Sequence, residues 1–119
     1  MSKVLIVDDS QGTLDIIEHC VHRFTKDTIT ASDGSSAWEL FLEHKPDLVI
    51  TDYKMPGMNG LELALQIEKV RKELPIILVT GCDDVDENVK SHFKNIFSKP
   101  FSIGRFQNTV KKLLGLPES

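Results

Sequence analysis

The chain has 119 residues, with 14 Lys+Arg against 18 Asp+Glu and a formal charge of −4; about 40% of it is hydrophobic. That is the composition of one ordinary globular domain with enough surface to bury a core unaided. The acidic balance argues against a nucleic-acid backbone partner, and Arg71-Lys72 and Lys111-Lys112 are the only basic doublets. Two scattered cysteines, Cys20 and Cys82, exclude a disulfide framework. No stretch approaches the ~20 apolar residues of a membrane span, and the apolar run after Met1-Ser2-Lys3 is too short for a signal peptide. These features point to a soluble, cytoplasmic chain that does not insert into membranes.

In chain order, Val4-Leu5-Ile6-Val7 is a continuous apolar run, as in a strand buried on both faces. Leu14, Ile17, Val21 and Phe24 then recur at helical spacing. Thr28-Ile29-Thr30-Ala31 alternates like a strand nearer an edge, and residues 35–44 read as a helix that carries a partly buried Trp38. Leu48-Val49-Ile50 is the third strand and 61–72 the third helix. Ile76-Ile77-Leu78-Val79 is the fourth strand, followed by a helix over 83–93 whose apolar positions are Val85, Val89 and Phe93. Ile96-Phe97 is a short fifth strand, and Ile103, Phe106, Val110, Leu113 and Leu114 outline a last helix. Strand followed by helix, five times over, predicts an α/β sandwich with helices on both faces of a parallel sheet. An order of 2-1-3-4-5 puts the three most apolar strands inside, which is the flavodoxin-like doubly wound (βα)5 arrangement. Residues 1–116 form the domain; 117–119 are a tail or the start of a linker.

Ligands of such sheets bind beyond the carboxyl ends of the strands. Those ends carry Asp8-Asp9, Asp52, Thr80 and Lys99-Pro100. Taken singly, each is ordinary turn, cap or loop chemistry. Together they bring three carboxylates, a hydroxyl and an ammonium to one edge. Three clustered carboxylates repel, and one would stay protonated at neutral pH unless cations compensate. Lys99 supplies one positive charge, and an oxygen-only donor set favours Mg²⁺ or another hard divalent ion for the rest.

The string Val4-Leu5-Ile6-Val7-Asp8-Asp9-Ser10 closely resembles the opening of bacterial response-regulator receiver domains. Asp52-Tyr53-Lys54-Met55-Pro56-Gly57-Met58-Asn59-Gly60 resembles their phosphorylation-site stretch, and Val79-Thr80-Gly81 and Lys99-Pro100-Phe101 match the remaining landmarks in order. The resemblance covers essentially the whole chain, which is similar to the single-domain chemotaxis-type regulators. It implies that Asp52 takes a phosphoryl group from a histidine kinase or a histidine phosphotransfer protein. It implies Mg²⁺, with Mn²⁺ as a substitute, on Asp9, on Asp8 through water, on Asp52 and on the Lys54 backbone carbonyl. Lys99 and Thr80 would pair with phosphoryl oxygens, and the Lys99–Pro100 bond would be cis. It also implies a partner-binding face of fourth helix, fifth strand and fifth helix. The protein would be a monomer or a phosphorylation-dependent dimer, with its effector unspecified.

The sequence departs from the family pattern at Ile96, where receivers usually carry the Tyr or Phe that couples to the Thr hydroxyl. Phe97 is adjacent, but strand alternation points it to the other face. Lys54 stands where it can reach the phosphoryl group or hinder water, and Gly81 leaves room for an in-line donor or is a loop glycine with unusual dihedrals. Gly57 and Gly60 read as turn glycines, and Met55 and Met58 as loop packing. Cys82 reads as a half-buried filler, with a reactive rim thiol as the alternative. Asp83, Asp84, Asp86 and Glu87 suit a helix N-terminus. His19 and His22 lack a third metal ligand and read as a solvated helix face, and Cys20 as the flank of the first apolar stripe.

Two other classes are weighed. A small Mg²⁺-dependent phosphatase with an aspartyl-phosphate intermediate needs an acid/base carboxylate two residues after the nucleophile, where this chain has Lys54. A flavin-binding flavodoxin needs a phosphate-cradling loop after the first strand, where Asp8-Asp9 would repel it.

Overall fold

The computed structural model describes residues 2–81 and 85–116. Five strands and five helices alternate: β1 (Val4–Val7), α1 (Gln11–Val21), β2 (Thr28–Ala31), α2 (Gly34–His44), β3 (Leu48–Thr51), α3 (Gly60–Val70), β4 (Ile76–Thr80), α4 (Glu87–Lys90), β5 (Asn95–Ser98) and α5 (Ile103–Leu113). All strand pairs are parallel, in the order β2-β1-β3-β4-β5. This is the expected flavodoxin-like sandwich. Among the described residues no helix is long and apolar enough to cross a membrane.

Period-two alternation sorts the central strands into two cores. Val4, Ile6, Leu48, Ile50, Ile77 and Val79 point to a layer that includes Leu14, Ile17, Cys20 and Val21 of α1 and Phe106 and Val110 of α5. Leu5, Val7, Val49, Ile76 and Leu78 point the opposite way, to Phe41 of α2, Leu63 and Ile67 of α3, and Val85 and Phe93 around α4. Cys20 therefore sits within the apolar stripe of α1, and Trp38 is partly buried and stacked on Phe41, with ring centroids 5.6 Å apart. Each helix begins on a polar cap: Ser10, Asp33, Asn59, Asp86 and Ser102 each accept a backbone N–H three residues on. Asn59 and Glu62 complete a reciprocal capping box at α3.

Three expectations need correction. The fourth helix, expected over 83–93, is a single turn, Glu87–Lys90, with no buried residue. Val85 and Phe93 are buried, but from the segments that flank that turn. Ile103, read as part of the last apolar face, is 53% exposed, because it opens α5 before the helix settles on the sheet. Gly60 is not a turn glycine. It is the first residue of α3, where a Cβ would collide with the main-chain oxygen of Asp52. Gly57 does occupy a left-handed turn, at φ +72°. Cys82, Asp83, Asp84 and residues 117–119 lie outside the described residues.

Candidate functional site

The register sets β1, β3 and β4 side by side, with Val7 level with Thr51 and Thr51 level with Leu78. Asp8 and Asp52, each one residue past its strand, therefore emerge together at the carboxyl edge. Asp52 N–H donates to the Val7 carbonyl at 3.0 Å, which locks the two strand ends to each other. Behind Asp52, Gly60 N–H donates to the Tyr53 carbonyl at 2.8 Å. The bare Gly60 lets α3 start directly against this backbone. Thr51 adds a hydroxyl bond to the Asp52 carbonyl at 2.9 Å.

Lys99 crosses from the β5 side to both carboxylates, with Nζ 2.9 Å from Asp8 Oδ2 and 3.0 Å from Asp52 Oδ2. The other oxygens are held by backbone donors: Ser10 N–H reaches Asp8 Oδ1 at 2.9 Å, and Tyr53 N–H reaches Asp52 Oδ1 at 2.7 Å. Asp8 and Asp52 are buried, whereas Asp9 is exposed beside them. Oxygen atoms of Asp8, Asp9 and Asp52 all lie within 4.8 Å of one another, the one such cluster among the described residues. Burial pushes the Asp8 carboxyl above its ordinary range; the bonds from Lys99 and Ser10 oppose this, and the Asp52 charge adds to it. For Lys99, burial acts downward, but the bonds to Asp8 and Asp52 outweigh it and raise the ammonium's pKa.

Asp9 and Asp52 line a cleft of about 370 Å³ with Lys54, Thr80, Gly81 and Lys99, and Asp8 lies buried beneath Lys99. Thr80 is buried at the end of β4, opposite Ser98 of β5, and its carbonyl accepts from Lys99 N–H at 2.9 Å. Lys54 is exposed at the rim. The Lys99–Pro100 peptide is cis, as the family pattern implied. Gly81 has no left-handed φ, and a Cβ there would meet only Lys99 Cβ at 3.9 Å, so unusual dihedrals do not explain it. Three carboxylates against one ammonium leave two negative charges in a donor set made only of oxygen. That fits a hard divalent cation such as Mg²⁺.

Every candidate residue the structure describes is thus found at one edge. The sequence did not reveal the backbone donors Ser10 and Tyr53. The first had a signal: an Asp commonly accepts the N–H two residues on, as Asp8 does from Ser10. Gly34 was also missed. A Cβ there would collide with the Met58 carbonyl, so it lets α2 close on the loop that carries Met55 and Met58. Met55 is buried and Met58 packs against the same core, as loop packing requires. Ile96 belongs to the α2–α3–α4 layer and Phe97 to the opposite one, edge-on to Phe106 at 5.4 Å. No aromatic ring of β5 is therefore on the Thr80 side. His22 bonds to the Thr28 hydroxyl at 2.9 Å, near Glu18, and His19 is exposed; the two histidines do not converge on a metal.

The family model described as response regulator receiver domain matches residues 4–111. The chain is 31% identical over 117 residues to the sporulation initiation phosphotransferase F of Bacillus subtilis, covering 96% of this chain and 94% of that one. It is 30% identical to the alkaline phosphatase synthesis transcriptional regulatory protein PhoP of the same organism, over 94% of this chain but 48% of that protein, about half its length. Among solved structures, the response regulator protein TrrA of Thermotoga maritima, in complex with Mg²⁺–BeF, superposes with a TM-score of 0.88. It is 31% identical, with 96% of this chain and 100% of that one covered. The chain belongs to the response regulator receiver domain family, and its function is that of a receiver in two-component signal transduction.

Proposed function

We propose that Asp52 is the phosphoacceptor, that Asp8, Asp9, Asp52 and the Lys54 backbone carbonyl hold Mg²⁺, and that Lys99 and Thr80 bind phosphoryl oxygens. The observation that carries this reading is the Lys99 ammonium bonded at once to Asp8 and Asp52, with Asp9 beside them. Lys99 Nζ, bonded to Asp52 Oδ2, holds the nucleophilic carboxylate in place. The Asp52 carboxylate attacks phosphorus as the bond to the donor's histidine nitrogen breaks. That imidazole leaves with the electron pair and picks up a proton. Lys99 can then turn from Asp52 to an oxygen of the new acyl phosphate, and the Thr80 hydroxyl can donate to another. Bound Mg²⁺ neutralises charge on the transferring group. The Mg²⁺–BeF complex of TrrA supports this assignment by analogy. Mn²⁺, with the same preference for oxygen ligands, would substitute.

The protein in this reading is a switch rather than a turnover enzyme. Lys54, exposed at the rim, stands where an aspartyl-phosphate phosphatase needs its second carboxylate. The phosphodonor is a histidine kinase or phosphotransfer protein. Modification would bias the loops after β3 and β4 and so change the α4–β5–α5 face offered to an effector or a second copy. The domain spans 1–116, acts in the cytoplasm and does not itself bind nucleic acid. Intact-mass spectrometry after incubation with Mg²⁺ and acetyl phosphate tests the chemistry. One added phosphoryl group, absent in Asp52→Ala and with chelator, is the expected result. No adduct, together with no beryllofluoride binding, would refute it.

A further inference from the structure

The Lys111-Lys112 doublet has no part in the phosphoryl site. It lies in the last turn of α5, and with Arg23, just past α1, it lines a half-open hollow of about 380 Å³ between α5 and the turn that follows α1. Not one carboxylate lines this hollow. None of the three cations is ion-paired among the described residues; Arg23 has only a 3.4 Å bond to the Gln107 amide oxygen and lies 5.8 Å over the Phe24 ring. Lysines in a last helical turn complement the helix dipole wherever they face. That effect does not explain why Arg23 converges on them from another element.

Gly104 is a second, independent sign. It sits in the first turn of α5, where glycine weakens a helix relative to alanine. A Cβ there would meet nothing within 4 Å, and its φ is not left-handed. The fold does not require this glycine, yet it opens the wall of the same hollow. Asn108, one turn further along, adds an amide to the lining.

We infer that the α1–α5 groove, with Arg23, Lys111 and Lys112 at its basic end, is a docking site for a short acidic peptide segment of a partner protein. Two features select that occupant. The hollow is half-open and runs along α5 beside the turn that follows α1, which suits an extended segment better than a fully enclosed small molecule. Outside the three cations the chain has 18 acidic against 11 basic residues, a field that repels a long polyanion but not a short segment seated among the cations. The site shares no lining residue with the Asp52 cleft.

The test is fluorescence anisotropy of a labelled Asp/Glu-rich decapeptide at low ionic strength. Saturable binding that weakens with added salt is expected. Arg23→Glu/Lys112→Glu should lower affinity about tenfold or more. Gly104→Leu, which fills the groove without changing charge and improves helix propensity, should lower it as well. A Lys69→Glu/Lys72→Glu control on the α3 side should not, and melting curves establish that each variant is folded. The inference is overturned by the absence of saturable binding, by wild-type affinity in either groove variant, or by an equal loss in the control. Tighter binding of a single-stranded oligonucleotide or of inorganic pyrophosphate than of the peptide would also overturn it.

Discussion

The β1–β3 side of the site and the β4–β5 side are built differently. On the first side, both strands are buried at every residue and their ends are tied by the Asp52 N–H bond to Val7. α3 is pinned against Asp52 through Gly60. On the second, β4 is fully buried, but β5 is only partly so, and α4 is one turn with no buried residue. The tightly packed side holds the carboxylates. The second side presents Lys99 and Thr80, the two groups that change partners in the proposed mechanism. Local opening costs least where few apolar contacts are lost, so the response belongs on the second side. A site that is rigid where chemistry needs position and loose where signalling needs movement follows from this distribution of core.

Lys99 joins the two sides, and breaking that link should have the largest effect. Lys99→Met leaves Asp8 and Asp52 facing each other without their ammonium and removes a preorganised charge from the transferring group. The rate of phosphorylation by acetyl phosphate should fall by about 100-fold or more. Time courses by intact mass, with Mg²⁺ saturating, measure it; a loss under threefold would show that Lys99 serves the fold rather than the chemistry. The carboxylate side alone is probed by Mg²⁺. Ion bound only to the folded state at 100 times its Kd stabilises by about 2.7 kcal/mol. Denaturant midpoints should rise with Mg²⁺ in the wild type and not in Asp9→Ala, whose side chain is exposed and expendable to the fold.

Packing itself gives a smaller contrast. Gly60→Ala drives a methyl group into the Asp52 carbonyl and should cost about 1–3 kcal/mol. Val89→Ala, in the partly buried α4, should cost no more than about 1 kcal/mol. Equal losses in urea unfolding would erase the distinction between the two sides.

The same contrast governs what could be read from sequence. Continuous apolar runs revealed β1, β3 and β4, and with them the strand order and the edge at which Asp8, Asp52 and Thr80 meet. Those residues follow buried strands, so their placement is fixed by local pattern plus topology. The lightly packed side was read less well. Val85, Val89 and Phe93 recur every fourth residue and imitate a helix face, yet two of them are buried from outside the single turn of α4. Ile103 has a core residue's chemistry but stands at a helix start that does not yet touch the sheet. Topology brings Lys99 to the carboxylate edge, but no local rule reveals that its ammonium bonds both Asp8, 91 residues away, and Asp52, or that Gly60 is bare because Asp52 lies behind it. Such facts belong to tertiary approach, which periodicity does not encode.

The smallest expected effect on stability is also the sharpest test of how the loose side responds. Ile96 pairs with Leu78 in the β4–β5 register and faces the same layer as Leu78, so Thr80 is its diagonal neighbour. Cross-strand diagonals are about 7–8 Å apart at the Cα atoms, within reach of a long aromatic side chain but not of isoleucine. Ile96→Tyr would therefore put a hydroxyl near Thr80 without changing the phosphoryl site. Because position 96 is only partly buried, the ring can stay at the surface, and stability should shift by less than about 1 kcal/mol. Amide chemical-shift changes on adding beryllofluoride measure the response. In the wild type they should concentrate in the loops after β3 and β4. In Ile96→Tyr they should extend through β5 into the start of α5, because a bond that forms or breaks at Thr80 now has a partner on the neighbouring strand. Identical shift patterns in the two proteins would mean that the signal leaves the site through backbone displacement of the loosely held α4 segment alone, with residue 96 a bystander.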